Sequence, residues 1–215
     1  MNVTVVVQRR RVIFEDRFHR WDMGQQTGDE GSTETEAYLE RVLDRLRHSY
    51  DLTADRTVDG RTFDWYGHCR IEHQKSFLHP SISYGDHASL DHLFVQRRDG
   101  VEQSDLTEFA EVAHSIASDW IDPSPTHYET SFTFAVLVPE LSPTVESFVS
   151  EFTDRTLLRY GLHGRYDVAF VVAAPSDQQM AASPEAEVAR AFSFTELDPP
   201  EKPSGLRGRL RLLFG

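Results

Sequence analysis

Between residues 33 and 72 the hydrophobic period changes from helical to strand-like, and Asp59-Gly60 marks where the chain reverses. Thr33 and Glu36 have the spacing of a capping box. Leu39, Val42, Leu43, Leu46 and Tyr50 then recur every three or four residues, which predicts a helix over 34–49. "TVDGRTF" follows, and Asp-Gly tolerates the positive φ angles of a two-residue hairpin, so antiparallel pairing is expected across it. The next stretch, 61–72, alternates. Phe63, Trp65, Gly67, Cys69 and Ile71 fall on one face, and Asp64, Tyr66, His68, Arg70 and Glu72 on the other. A helix with one apolar stripe joined to a hairpin with one apolar face constrains the chain to a layered domain.

The rest of the chain extends this pattern. Residues 74–84 read as extended, and "LDHLFVQRR" as a strand ending at Asp99-Gly100. A helix over 105–120 is entered at Asp105 with Glu108 three residues on. It buries Leu106, Phe109, Ala110, Ala113, Ile116, Ala117 and Trp120, and "DPSP" stops it. "YETSFTFAVLV" predicts a buried strand. Ser142-Pro143 opens a third helix that buries Val145, Phe148, Val149 and Phe152. "YDVAFVVAA" is apolar on both faces, as a central strand requires. The expected fold is α+β (mixed α/β), a central largely antiparallel sheet with three helices in the order α-β-β-β-α-β-α-β. It forms a single domain over 33–175, with an extension over 1–32 and a Pro/Ser-rich linker and Arg/Leu tail over 176–215.

The two ends read differently from the core. Residues 1–22 carry five Arg against three acidic residues, while the chain as a whole has formal charge −13. Either "VTVVVQ" is an N-terminal strand followed by a basic arm, or the start is Met23 and the preceding residues are upstream sequence. The charge break favours Met23. In "GLRGRLRLLFG", Arg and Leu alternate with period two, which favours an edge strand or free tail over a helix lying on a membrane.

Composition bounds the environment. Twenty Arg stand against two Lys, Lys75 and Lys202, and both are outnumbered by 35 Asp and Glu. An acidic, lysine-poor surface suits solubility in concentrated salt, where repulsion is screened. The expectation is a salt-adapted, cytoplasmic, archaeal-type protein. The charge argues against a nucleic-acid partner, with less force if acidity serves solubility. The single cysteine, Cys69, excludes an intrachain disulfide. No apolar run reaches the roughly 20 residues that span a bilayer. The basic residues near the N-terminus follow the apolar run instead of preceding it, unlike a signal peptide.

The chemistry concentrates in residues 61–92, which hold five of the ten histidines, Cys69 and Lys75. His68, Glu72, Asp91 and His92 are the metal-ligand candidates. His68 and Glu72 share a face but lie about 13 Å apart along a strand, so a site needs residues from neighbouring strands. The element order matches a restriction-endonuclease-like core, with Asp64, Glu72, Lys75 and Asp91 as catalytic candidates. Glu72 and Lys75, three residues apart, face opposite ways unless a bulge intervenes. His87 and Asp91 fit the H-x-x-x-D pattern of chloramphenicol-acetyltransferase-type enzymes, without that motif's second His and following Gly. There is no G-x-S-x-G, phosphate-binding loop or dinucleotide fingerprint.

Several short motifs resemble those of a functionally uncharacterised family of small prokaryotic proteins, frequent in halophilic archaea. They are "TFDWYG" with Phe63 and Asp64, "SFL" at 76–78, and "LDHLFV" with Asp91 and His92. "DPSPTHYETS" adds His127 and Ser131, and "YGLHGRYD" adds Gly161, Gly164 and Asp167. The resemblance covers about residues 35–175 and departs from the pattern at Arg165, where a Trp is expected. It implies a shared core and no particular activity. The leading expectation is a protein that binds a ligand or associates with itself, without catalysis and without a cofactor. The alternative is a divalent-metal-dependent hydrolase or nuclease.

Overall fold

Asp59 (φ 49) and Gly60 (φ 76) both adopt left-handed conformations, giving the two-residue reversal that the dipeptide predicts. The computed structural model describes residues 3–7, 30–75 and 87–195. The first elements are β1 (Val3–Val7), α1 (Glu30–Leu46), β2 (Asp51–Val58), β3 (Arg61–Lys75), β4 (His87–Arg97) and α2 (Gln103–Trp120). They are followed by β5 (His127–Leu137), α3 (Pro143–Glu151), β6 (Asp154–Leu157), β7 (Arg165–Ala174) and β8 (Gln179–Ala182). The fold is α+β with a mixed sheet, and from α1 onward it follows the expected order.

The sheet runs β1-β3-β4-β5-β7-β6, with β2 also on β3 and β8 also on β7. β4 pairs with β5, and β5 with β7, in parallel, while the other ladders among the described residues are antiparallel. Parallel neighbours need a crossover, and α2 and α3 supply the two that are required. Both pack on one face. There Phe94, Phe134 and Phe170 meet Phe109 of α2, with Phe94 and Phe134 stacked at 4.8 Å and Phe109 and Phe134 at 5.3 Å. α1 covers the other face, where Tyr38, Leu39, Val42 and Leu46 bury against Leu93, Val95, Ala135, Leu137, Val171 and Ala173.

The entries of α2 and α3 follow local capping, whereas α1 begins at Glu30 and takes Thr33, the expected cap, inside the helix. Ser142 Oγ accepts from the Val145 N–H at 3.3 Å with Pro143 beside it, as expected. α2 begins two residues earlier than predicted. Its first turn is closed by Asp105, whose carboxylate accepts from the Glu102 N–H at 2.8 Å, so Asp105 sits inside the helix instead of preceding it.

Three expectations are corrected. The strict alternation along β3 breaks near its start. Phe63 packs on the α2 side with Phe94 and Phe109, whereas Trp65 packs on the α1 side, and Tyr66 takes the α2 side from there on. The break lies where Ala54 pairs with Trp65 and Arg56 with Phe63, with Asp55 (φ 52) between them. Second, ordered structure does not end at residue 175. β8 pairs with β7, and the 3-10 helix Glu187–Phe192 places Phe192 fully inside the α1-side core. Tyr38 donates its hydroxyl proton to the Phe192 carbonyl, and Arg45 donates to the carbonyls of Ala191 and Ser193, tying this strap to α1. Third, of the two readings of the N-terminus, the strand and not the charge break describes Val3–Val7, which pairs with the end of β3, Val3 opposite Lys75 and Val7 opposite Ile71. The basic arm with Met23, the "SFL" motif and the Arg/Leu tail lie outside the described residues.

Candidate functional site

On the α1 face the sheet grades from apolar to polar over two rows of residues. Val95, Ala135 and Val171 form one row, followed by Leu93, Thr133 and Ala169. The next row is polar throughout. Cys69 pairs with Asp91, Asp91 with Ser131, Ser131 with Asp167, and Asp167 with Arg155, so five side chains stand in register across five strands. In-register neighbours on one face lie about 5 Å apart, close enough to interact. The half-buried Tyr50, just past α1, reaches this row. Its hydroxyl donates to Asp91 Oδ2 at 3.3 Å. Gly67 makes room for it, because a Cβ there would meet the Tyr50 ring at 3.1 Å and Leu52 at 3.2 Å.

The two ends of the row differ in charge compensation. Asp167 is 2% exposed. Arg155 grips both of its oxygens, at 2.6 and 3.2 Å, and Arg165 Nε donates to Oδ2 at 3.2 Å. Burial alone would raise its pKa, but these hydrogen bonds hold it below the usual carboxylate range. Arg165 also donates to Glu129 Oε1 at 2.9 Å. Glu129 is pushed up to about 7 by burial and by its hydrogen bond with Asp167, with Arg165 opposing. Glu185 lies 3.9 Å from Arg155, and its Oε2 is buried without a hydrogen-bond partner.

Among the described residues no cation pairs with Asp91 in this way. Burial raises its pKa, and the nearby Glu187 raises it further, while hydrogen bonds from Tyr50 and Ser131 offset only part of this. Burial and Asp91 together push Cys69 up to about 11, so it stays a neutral thiol. Asp91, Ser131 and Tyr50 are half-buried and Glu187 is exposed. A separate cleft of about 330 Å³ lies beside α1, lined by Glu34, Tyr38, Arg41, Arg45 and Phe194 among others. It is a groove along the strap, away from the polar row, and Arg45 in it is already committed to carbonyls.

The sequence candidates separate. Asp64 sits at the start of β3, accepting from the Arg97 backbone N–H at 2.6 Å. Arg97 also pairs with Glu36 of α1. Asp91 lies on the α1 face. His68 and His92 lie on the α2 face beside Tyr66 and Phe132. The proposed ligand set His68, Glu72, Asp91 and His92 is therefore split by the sheet itself, because Asp91 and His92 are consecutive on one strand. Glu72 and Lys75 fall on the end of β3 that pairs with β1. Among the described residues no three of His, Cys, Asp or Glu gather closely enough to hold a metal ion.

The motif residues sort by role. His127 is buried and satisfied, its Nδ1 2.8 Å from the His163 carbonyl and its Nε2 2.9 Å from Thr130 Oγ1. Gly164 (φ 78) has no room for a Cβ, which would come within 2.3 Å of the Tyr128 carbonyl oxygen. These two hold the turn before β7. Asp91, Ser131 and Asp167 converge on the polar row instead. Residues 34–194 match the sequence model of a family described as Domain of unknown function (DUF8052). The chain belongs to this family. The DUF8052 region extends past residue 175 to include β8 and the strap, so it contains Glu185 and Glu187 together with the row they border. No curated protein matches the chain.

Sequence reasoning missed Tyr50, Glu129, Arg155, Arg165, Glu185 and Glu187. One signal was available: β4, β5 and β7 each carry a polar residue on the same parity as their apolar α1-face positions, namely Asp91, Ser131 and Asp167. Placing the three strands side by side needs the register, which no single strand encodes.

Proposed function

We propose that this domain is a salt-adapted, cytoplasmic ligand-binding module and that its ligand presents an ammonium group to Asp91. The in-register row of Asp91, Ser131 and Asp167 carries this reading. The same sheet face is apolar in the rows above it apart from Thr133, and placing carboxylates there is costly unless each finds a partner. Asp167 has two arginines, whereas Asp91 has two hydroxyls and a neighbouring negative charge. Perturbed ionisable groups gathered in a partly open site are typical of functional sites. An ammonium group seated between Asp91 and Glu187 would relieve their repulsion, and Tyr50 and Ser131 would orient the carboxylate that receives it. The excess of Arg over Lys and of acidic over basic residues supports operation in concentrated salt.

The hydrolase or nuclease alternative has less support, because Asp64 and Asp91 belong to separate environments. Self-association is supported as an accompanying property by Leu157, Tyr160 and Leu162. These are 59%, 99% and 79% exposed around the turn between β6 and β7.

Thermal unfolding in concentrated KCl tests the proposal, with 1,4-diaminobutane and choline as probes beside Mg²⁺ and Mn²⁺. A ligand that binds the folded state raises the midpoint by mass action. A rise with either ammonium compound that disappears in Asp91→Asn supports the reading. A rise with Mg²⁺ or Mn²⁺ alone would favour the hydrolase.

A further inference from the structure

His68 and His92 stand directly opposite each other in the antiparallel β3–β4 ladder, on the face away from the polar row. Their ring centroids lie 5.2 Å apart. Two imidazoles bound through ring nitrogens to one tetrahedral ion, at about 2.0–2.1 Å each, have their centroids roughly 5 Å apart. The pair therefore already has the separation that a shared ion requires.

His92 adds a second, independent observation. It is 6% exposed, and its Nε2 is buried without a hydrogen-bond partner. Buried polar atoms are almost always paired, so a lack of partner among the described residues calls for an explanation. Its Nδ1 lies 2.7 Å from the Tyr66 hydroxyl. When Tyr66 accepts from Nδ1–H, the lone pair of Nε2 is left free, which is the arrangement of metal-binding histidines held by an outer partner. Phe132 stacks on the His92 ring at 5.2 Å and Trp120 lies 5.0 Å away, fixing the ring's orientation. His68 is half-buried and forms the open side.

We propose that His68 and His92 together bind a borderline transition-metal ion, Zn²⁺ or Cu²⁺, with Tyr66 as the positioning residue behind His92. Imidazole favours these ions over Mg²⁺ or Ca²⁺, which prefer oxygen. Among the described residues no further His, Cys, Asp or Glu completes the set. The site is independent of the ammonium site, from which the sheet separates it.

The test is calorimetric titration of Zn²⁺ into EDTA-dialysed protein in KCl, comparing wild type, His68→Gln, His92→Gln, Tyr66→Phe and His114→Gln. Wild type and His114→Gln should bind one ion saturably. His68→Gln and His92→Gln should lose that binding, and Tyr66→Phe should weaken it about tenfold. Cu²⁺ EPR gives a second readout, with two coordinated nitrogens in wild type and one in His68→Gln. His68 is half-buried, so His68→Gln decides the question even if His92→Gln fails to fold. No saturable binding by wild type, or His68→Gln binding like wild type, overturns the proposal.

Discussion

Asp91 and His92 are consecutive residues of β4 that serve opposite faces of the sheet, Asp91 meeting Tyr50 on the α1 side and His92 meeting Tyr66 on the α2 side. Strand pleating makes this separation unavoidable. A motif that reads as one acidic-histidine pair thus feeds two different environments, and the predictions for each are independent.

The fold disfavours the ionised form of Asp91. Asp91→Asn removes a carboxyl that burial and Glu187 both disfavour in its charged form. Because the folded state raises its pKa, the ionised group destabilises progressively as pH rises above the unfolded value. Asp91→Asn should therefore be more stable than wild type by about 1 kcal/mol at pH 8, with the gain shrinking toward pH 4. Urea denaturation at the two pH values checks this. A variant less stable than wild type at pH 8 would make Asp91 a structural residue.

Glu129 should give a distinct pH signature. Its folded pKa of about 7 lies above its ordinary value of 4.5, so the folded state binds the proton more tightly between these limits. Its contribution to stability is therefore present at low pH and lost as pH rises from about 4.5 through 7. Glu129→Gln cannot ionise. Its stability relative to wild type should climb across that window and level off above it, which denaturant midpoints at several pH values would show. A flat difference would mean that Glu129 titrates normally.

Gly164 is required by geometry. Its φ of 78 and the 2.3 Å approach of the Tyr128 carbonyl oxygen leave no place for a methyl group. Gly164→Ala should destabilise by more than about 1 kcal/mol. Gly60→Ala also has positive φ but meets nothing within 4 Å, so it should cost less. Equal losses in the two variants would show that the close approach at Gly164 contributes nothing.

The aromatic layer under α2 should dominate stability. Phe134 is 1% exposed and contacts Phe63, Phe94, Phe109 and Phe170. Phe134→Ala should cost about 3–5 kcal/mol. Ser142→Ala, which removes one cap hydrogen bond, should cost about 1 kcal/mol.

The sequence made the elements legible because their signals are local. The Asp59-Gly60 turn, the stripe of α2 and the Ser142-Pro143 cap each lie within a few residues of what they specify. The break at Asp55 on β2 escaped notice because a positive φ at an Asp leaves no periodic trace. The strap reads as a linker because its two aromatics, Phe192 and Phe194, stand among small, polar and charged residues. The burial of Phe192 depends on Tyr38 of α1, 154 positions away. The site was hardest for the same reason. Asp91, Ser131, Asp167 and Arg155 come from four strands, and only the ladders place them in one row. Histidine density points to 61–92, yet three of the five side chains of the polar row lie beyond residue 130.

Chemical-shift mapping tests the central claim most directly. 1,4-Diaminobutane is titrated into ¹⁵N-labelled protein in concentrated KCl while the amide spectrum is followed. The account predicts saturable shifts concentrated at residues 89–92, 129–133, 165–169 and 183–188, absent in Asp91→Asn. Shifts spread evenly over the acidic surface, or none at all, would contradict it.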